Sequence, residues 1–326
     1  MIQVFGTLPD GRDVHRISLQ AGRLSAQVLT LGAIVQDLRL DGVAHPLVLG
    51  CPDVTSYLGP ARYFGALVGR FANRIGNGCF TLDGRDYRTD ANFLGRHTLH
   101  GGADGADVQN WQVEAQADDH VIMGLTMPDG HMGFPGDLRI TARIALKDDA
   151  LEIGLSAVTD APTICSLAHH GFFDLDGQGD VRRHALMIAA DRYLPVDADL
   201  IPTGEAATVT DTDFDFRKNR MIGTGGYDHN FCLSDGQQPL RPVARLTGES
   251  GLSMVVETTA CGLQMYDGVH IDGIGGLDGR RYGPHAGLAL ETQFWPDAPN
   301  RAGFPSAILR PGCEYQEVTR YRFARF

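Results

Sequence analysis

Residues 166–180 read SLAHHGFFDLDGQGD, with two adjacent histidines, two aromatics and a carboxylate. Imidazoles near neutral pH can carry a proton or ligate a metal. On a strand, successive side chains leave opposite faces. His169 and His170 then cannot share a pocket, so chelation of one metal by both is not expected. One of them faces a site, or neither does. In that register His170 shares a face with Ala168 and Phe172, and His169 with Leu167 and Phe173.

Five other stretches carry residues of catalytic type. GRFANRI (69–75) sets Arg70 and Arg74 four apart, with Asn73 beside the second. A guanidinium fork suits hydroxyls, carboxylates or phosphates, and either arginine alone also reads as a surface ion pair. HTLHGG (97–102) holds His97 and His100, but the paired glycines point to a backbone bend, so the spacing speaks weakly for a metal. GGYDHNFCL (225–233) is an Asp-His-Asn run that also reads as a turn. TTACGLQMYDG (258–268) alternates and ends in Gln264 and Tyr266. In LALETQFWPDAPN (288–300), Glu291 interrupts an apolar run. A carboxylate there is costly unless it is paired or its pKa is raised. A raised carboxyl is what a general base near neutral pH needs.

No GxSxG, Walker loop, HExxH or Rossmann glycine fingerprint occurs. Nucleophilic serine chemistry, nucleotide cofactors and a closed metal-ligand set are therefore not expected.

The elements that must position these groups are strands. CFTL-DG-RDYRT (79–89) is a strand, an Asp-Gly turn and a strand. In 137–158, Leu138, Ile140, Ala142, Ile144 and Leu146 share one face, and Leu151, Ile153 and Leu155 share another. Period two predicts antiparallel strands with one buried face. Helical periodicity is nearly absent. The best candidate is DVTSYL (53–58), with Asp53 as N-cap and Pro60 near its end. No linker, low-complexity tract or fixed repeat divides the chain. The expectation is an all-β fold, a large antiparallel β-sandwich with very little helix, forming one domain over 1–326.

Composition bounds the partners. The 326 residues are 43% hydrophobic and 21% charged, enough to bury a large core. The net charge is −12 and the only lysines are Lys147 and Lys218, so nucleic acid and anionic membrane are poor partners. The six cysteines form no CxxC pair, which fits reduced, mostly buried thiols in a cytoplasmic protein. MIQVFGTLPDGRD shows no basic region leading into an apolar run, so no signal peptide is expected, and no apolar stretch approaches the ~18 residues of a membrane span.

Taken in order, GRFANRI, LHGG, HHGFFDLDG, DRYLPVDADLIPTGE, DFR, GYDHNF, TTACGLQMY, ETQFWPDAPN and FPSAILRPG resemble the aldose 1-epimerase family, over about residues 3 to 325. That family is built as a large antiparallel β-sandwich, in agreement with the strand reading. The resemblance implies cofactor-free interconversion of the α and β anomers of a free monosaccharide. It implies Glu291 as general base, His170 as general acid and His100 as a second active-site histidine. Asn73, Arg74, Asp228 and Gln264 would bind sugar hydroxyls, and Phe172, Phe294 or Trp295 would line an apolar sugar face. The chain departs from the family pattern at His169 and Asp174, where asparagine is usual, at Phe172 for tyrosine, and at Cys261 for proline.

Three other readings stay open on the sequence. A hexose-6-phosphate 1-epimerase would need a phosphate-binding cation, for which Arg70 is the candidate. A non-catalytic sugar-binding protein would need no matched acid and base. A glycoside hydrolase usually wants two carboxylates. The preferred aldose, and the choice between monomer and homodimer, are not legible.

Overall fold

The computed structural model describes residues 1–325. The hairpins expected from alternation form as read. Leu138–Lys147 pairs with Ala150–Thr159 along its whole length, and Cys79–Leu82 pairs with Arg85–Arg88 across the Asp83-Gly84 turn. The expected inward faces are buried, from Leu138 to Leu146 on one strand and from Leu151 to Leu155 on the next. Full burial of one such side chain contributes about 1.5–3 kcal/mol.

Leu138–Lys147 and Ala150–Thr159 belong to a nine-stranded antiparallel sheet, and the 79–88 hairpin stands as a separate pair. At its centre Tyr315–Arg325, from the C-terminal end, pairs with Ala150–Thr159 on one side and Leu252–Thr258 on the other. A second, six-stranded sheet runs in the order Phe172–Phe173, Leu288–Gln293, Gly262–Tyr266, Asp228–Cys232, Arg192–Tyr193, Ala207–Thr208. Side chains of the two sheets meet in the interior, where Thr292 reaches Glu317 and Thr319. Leu288–Gln293 is buried at every position, so neither of its faces meets solvent. A four-stranded sheet covers residues 2–40. One hydrophobic cluster runs from Ile17 to Phe323.

The single α-helix among the described residues is Val54–Tyr57, and the Asp53 carboxylate caps it by accepting from Ser56 N–H at 2.8 Å. Such a cap is worth ~1 kcal/mol. No helix among them is long and apolar enough to cross a membrane.

The stretch 166–173 is not one strand. Ala168–His169 and Phe172–Phe173 are short strands on different partners, broken at His170 and Gly171. The alternation nevertheless holds. His169 turns inward, where its ring meets Tyr321, and His170 turns the other way, with its ring against Phe172.

Candidate active site

Three neighbouring strands of the six-stranded sheet set three polar side chains in register. Glu291 lies opposite Gln264 across one pairing, and Gln264 opposite Asn230 across the next. Asp228, two residues before Asn230, accepts from the Gln264 amide at 2.5 Å. Gln264 therefore sits behind Asp228 and holds it, while Asp228 and Glu291 reach the wall of a cavity of about 310 Å³. Small-ligand sites start at roughly 300 Å³.

His170 enters the cavity from the break between its two short strands. Its N–H donates to the Ala66 carbonyl at 2.8 Å, and Gly65 N–H donates to its own carbonyl at 2.9 Å. These bonds fix the His170 backbone, and the rings of Tyr63 and Phe172 pack against its side chain. His170 Nε2 lies 3.5 Å from Glu291 Oε1. His170 Nδ1 and Glu291 Oε2 have no partner among protein groups. Both atoms are buried, and the pair reaches the cavity wall beside them.

Asn73, Arg74 and His100 come from a second pair of segments. Arg74–Ile75 pairs with Thr98–Leu99, which places His100 beside Asn73. His100 N–H donates to the Asn73 carbonyl at 2.9 Å, and Asn73 N–H donates to His100 Nδ1 at 3.1 Å. His100 has φ 52° and is followed by Gly101, where a Cβ would collide with the Gly69 backbone. The glycines after His100 make the bend that aims it inward, as the sequence implied. Arg74 donates from Nη2 to Asp228 at 3.0 Å and from Nη1 to Asn73 Oδ1 at 3.2 Å, and its guanidinium lies 4.8 Å over the Phe93 ring.

Burial governs the charges. It pushes the Glu291 carboxyl well above the usual carboxylate range, Asp228 adds to this, and Arg74 opposes it. Burial drives His170 down to about 4 and holds His100 well below the ordinary imidazole value. Neutral His100 has one ring proton, and because Nδ1 accepts from Asn73 N–H that proton sits on Nε2. His100 therefore presents a donor.

The same tautomer bears on metals. Donor atoms of His100, His170 and Glu291 lie within 4.8 Å of one another, a set with the composition of a metal site. A neutral imidazole that ligates through Nε2 must carry its proton on Nδ1, which would face Asn73 N–H. This geometry opposes His100 as a ligand. His97 does not join it. Its Nδ1 accepts from Asn77 N–H at 2.9 Å, and its other nitrogen faces Arg96 and Asp199 in a separate surface cavity.

Several expectations change. Phe172 lines the cavity, but Phe294 and Trp295 do not. Phe294 packs toward Tyr315, and Trp295 donates to the Cys261 carbonyl at 3.0 Å while its ring meets Phe304. The strand ends at Gln293, so the side chains after it do not keep its alternation and this pair packs away from the cavity. Arg70 is fully buried and donates to the carbonyls of Pro135, Gly136, Met127 and Pro128, so it cannot serve a phosphate in this cavity. Asp174 accepts N–H bonds from residues 176, 177 and 179, so its carboxylate shapes a turn and does not touch His170. Cys261 is buried outside the cavity wall. Tyr63 and Phe93 were not singled out from the sequence. Tyr63 stacks on His170 with ring centres 5.8 Å apart and meets His100 at 4.8 Å. It sits in an irregular loop at φ 77°, and no periodicity marks it.

The antiparallel sandwich places a buried imidazole–carboxyl pair at the wall of a small cavity, which defines an acid–base site for a small molecule. The profile of the family described as aldose 1-epimerase matches residues 15–322, and the chain belongs to that family. It is 39% identical to the galactose mutarotase of Bos taurus, over 98% of this chain and 97% of that protein. It is 36% identical to the aldose 1-epimerase of Escherichia coli K12, over 97% and 96%. Among solved structures, the aldose epimerase homologue of C. elegans superposes with a TM-score of 0.89 at 30% identity, covering 95% of this chain and 98% of that one. The galactose 1-epimerase of Lactobacillus acidophilus superposes with a TM-score of 0.87 at 27% identity, covering 100% and 98%.

Proposed function

We propose that this chain is an aldose 1-epimerase that interconverts the α and β anomers of a free monosaccharide through the His170–Glu291 pair. The reading is carried by the 3.5 Å approach of these two buried groups at the cavity wall. Glu291 takes the O1 proton, the C1–O5 bond breaks onto the ring oxygen, and His170 gives that oxygen a proton. The product is the open aldehyde. Rotation about C1–C2 presents its other face, and the transfers run backwards on closure. Each positioned acid or base is worth roughly 10²–10⁴-fold.

The step needs one proton between the two groups. Burial by itself favours Glu291 protonated and His170 neutral. An O1–H donating to the Glu291 carboxylate favours that form, and a ring oxygen accepting from His170 favours the imidazolium. The His100 Nε2–H supports a sugar oxygen. The Arg74–Asp228 pair, with Asn73 and Gln264 behind it, offers a donor and an acceptor to the remaining hydroxyls. Phe172, Tyr63 and Phe93 supply apolar walls.

The arginines lining the cavity are already paired, Arg74 with Asp228 and Arg62 with Asp107, which leaves a 6-phosphate without a cation and favours the free sugar. The core that joins Ile17 to Phe323 supports a single working domain.

Polarimetry of fresh α-glucose, α-galactose, α-xylose and L-arabinose, with and without the purified protein, tests the reading. Faster mutarotation of at least one is expected. No acceleration of any, with sugar binding intact, would make the protein a non-catalytic binder.

A further inference from the structure

Behind the cavity, the inward face of Tyr315–Arg325 carries a row of polar side chains that meets both catalytic segments. Tyr315 OH lies 3.1 Å from Leu167 N and 3.3 Å from Leu167 O, on the segment leading to His170. It is also 2.9 Å from Glu317 Oε2. Glu317 Oε1 accepts from the Thr292 hydroxyl at 3.3 Å, next to Glu291, and Thr319 also bonds Thr292. Tyr321 OH reaches the Leu290 carbonyl at 3.3 Å and His169 Nδ1 at 3.4 Å. One strand therefore touches residues 290 and 292 around Glu291, and 167 and 169 before His170. Leu288–Gln293 belongs to the six-stranded sheet and Ala168–His169 to a short pair with Leu67–Val68, and period two puts 315, 317, 319 and 321 on one face toward both.

We propose that Glu317 is a positioning residue for the His170–Glu291 pair, the centre of this polar ladder. The proposal rests on the roles given to that pair above. Glu317 is buried, and its side-chain partners are two hydroxyls, with no cation among them.

Hydrogen-bond bookkeeping assigns its form. A protonated Glu317 donates to the Tyr315 oxygen, Tyr315 donates to the Leu167 carbonyl, and Leu167 N–H donates to Tyr315. Every group is then satisfied and no charge is buried. An ionised Glu317 would take the single Tyr315 proton, and the Leu167 carbonyl would lose it. Burial, which raises the Glu317 carboxyl to about 8, acts in the same direction. The acid, not the carboxylate, clamps the two segments.

The test is steady-state mutarotation with Glu317→Gln, Glu317→Leu and Tyr315→Phe, run beside Glu291→Gln and well below each melting temperature. Glutamine keeps a donor for Tyr315 and an acceptor for Thr292. Its kcat is expected within about threefold of wild type, whereas leucine and Tyr315→Phe should lower kcat roughly tenfold, the equivalent of one lost hydrogen bond, with KM within about twofold. Wild-type kcat in both Glu317→Leu and Tyr315→Phe, with only lower melting temperatures, overturns the proposal. So does a Glu317→Gln variant as impaired as Glu317→Leu, since that would require the charge. If Glu317→Leu does not fold, Tyr315→Phe and Glu317→Gln decide by the same criteria. An active Glu291→Gln variant overturns the pair and the ladder's purpose with it. An inactive one beside fully active Glu317→Leu and Tyr315→Phe overturns the ladder alone.

Discussion

Asn73 N–H donates to His100 Nδ1 at 3.1 Å, and His100 N–H donates back to the Asn73 carbonyl at 2.9 Å. This reciprocal pair ties the two segments that carry Arg74 and His100. It also sets the His100 tautomer, with the proton on Nε2 facing away from Asn73.

A histidine held in that tautomer is a poor metal ligand, so mutarotation should survive exhaustive EDTA dialysis. Loss of activity restored by zinc would restore the His100–His170–Glu291 set as a metal centre.

Glu291→Gln keeps the shape of the side chain and removes its proton transfer. It should leave less than about a tenth of wild-type kcat, with sugar affinity within about tenfold. Titration calorimetry beside polarimetry separates the two quantities. A variant with normal kcat would remove Glu291 from the chemistry.

His170→Asn should cost at least ~10²-fold in kcat, the lower range for one proton-transfer group, while His169→Asn should cost less than about tenfold. His169 faces Tyr321 in the interior and cannot reach the cavity where His170 meets Glu291. The reverse order of effects would show that the inward and cavity-facing roles are exchanged.

Asp228→Ala should raise KM about tenfold or more, because a hydroxyl acceptor is lost and Arg74 is left buried without its 3.0 Å partner. Polarimetric kinetics over a range of sugar concentrations measures it. An unchanged KM would place the hydroxyls elsewhere.

His169 gives a stability signature. Burial lowers it to about 3, against about 6.5 when unfolded. The unfolded chain binds more protons at this residue below about pH 6.5, so its contribution to stability is present above that pH and is lost as pH falls toward 3. Thermal melts from pH 7 to 5 should therefore show His169→Asn gaining on wild type as pH drops. The opposing contributions of Glu291 and Glu317 are common to both proteins and cancel in the difference. A constant gap would mean that His169 is not held neutral.

The sequence by itself determined the strands, the 79–88 hairpin, the capped short helix and the candidate polar residues. Those signals are local, because alternation, an Asp-Gly turn and an N-cap are each complete within a few residues. Glu291 was legible for a related reason, since a carboxylate inside LALETQFW is conspicuous wherever it ends up. Tertiary structure decided what each polar residue faces. Arg70 and Arg74 are alike on paper, yet one is spent on four backbone carbonyls and the other on Asp228. Tyr63 reaches the site from a loop without periodicity, and Trp295 leaves it because the strand ends at Gln293 and the chain beyond packs the ring on Phe304. Glu317 reads as one more charge on an alternating strand. It becomes a buried acid only because the sheets close over it and bring Tyr315, Thr292 and Leu167 within hydrogen-bonding distance. Pairings between residues more than a hundred positions apart have no local code, and the burial that shifts Glu291, His170 and His100 exists only once the sheets have packed.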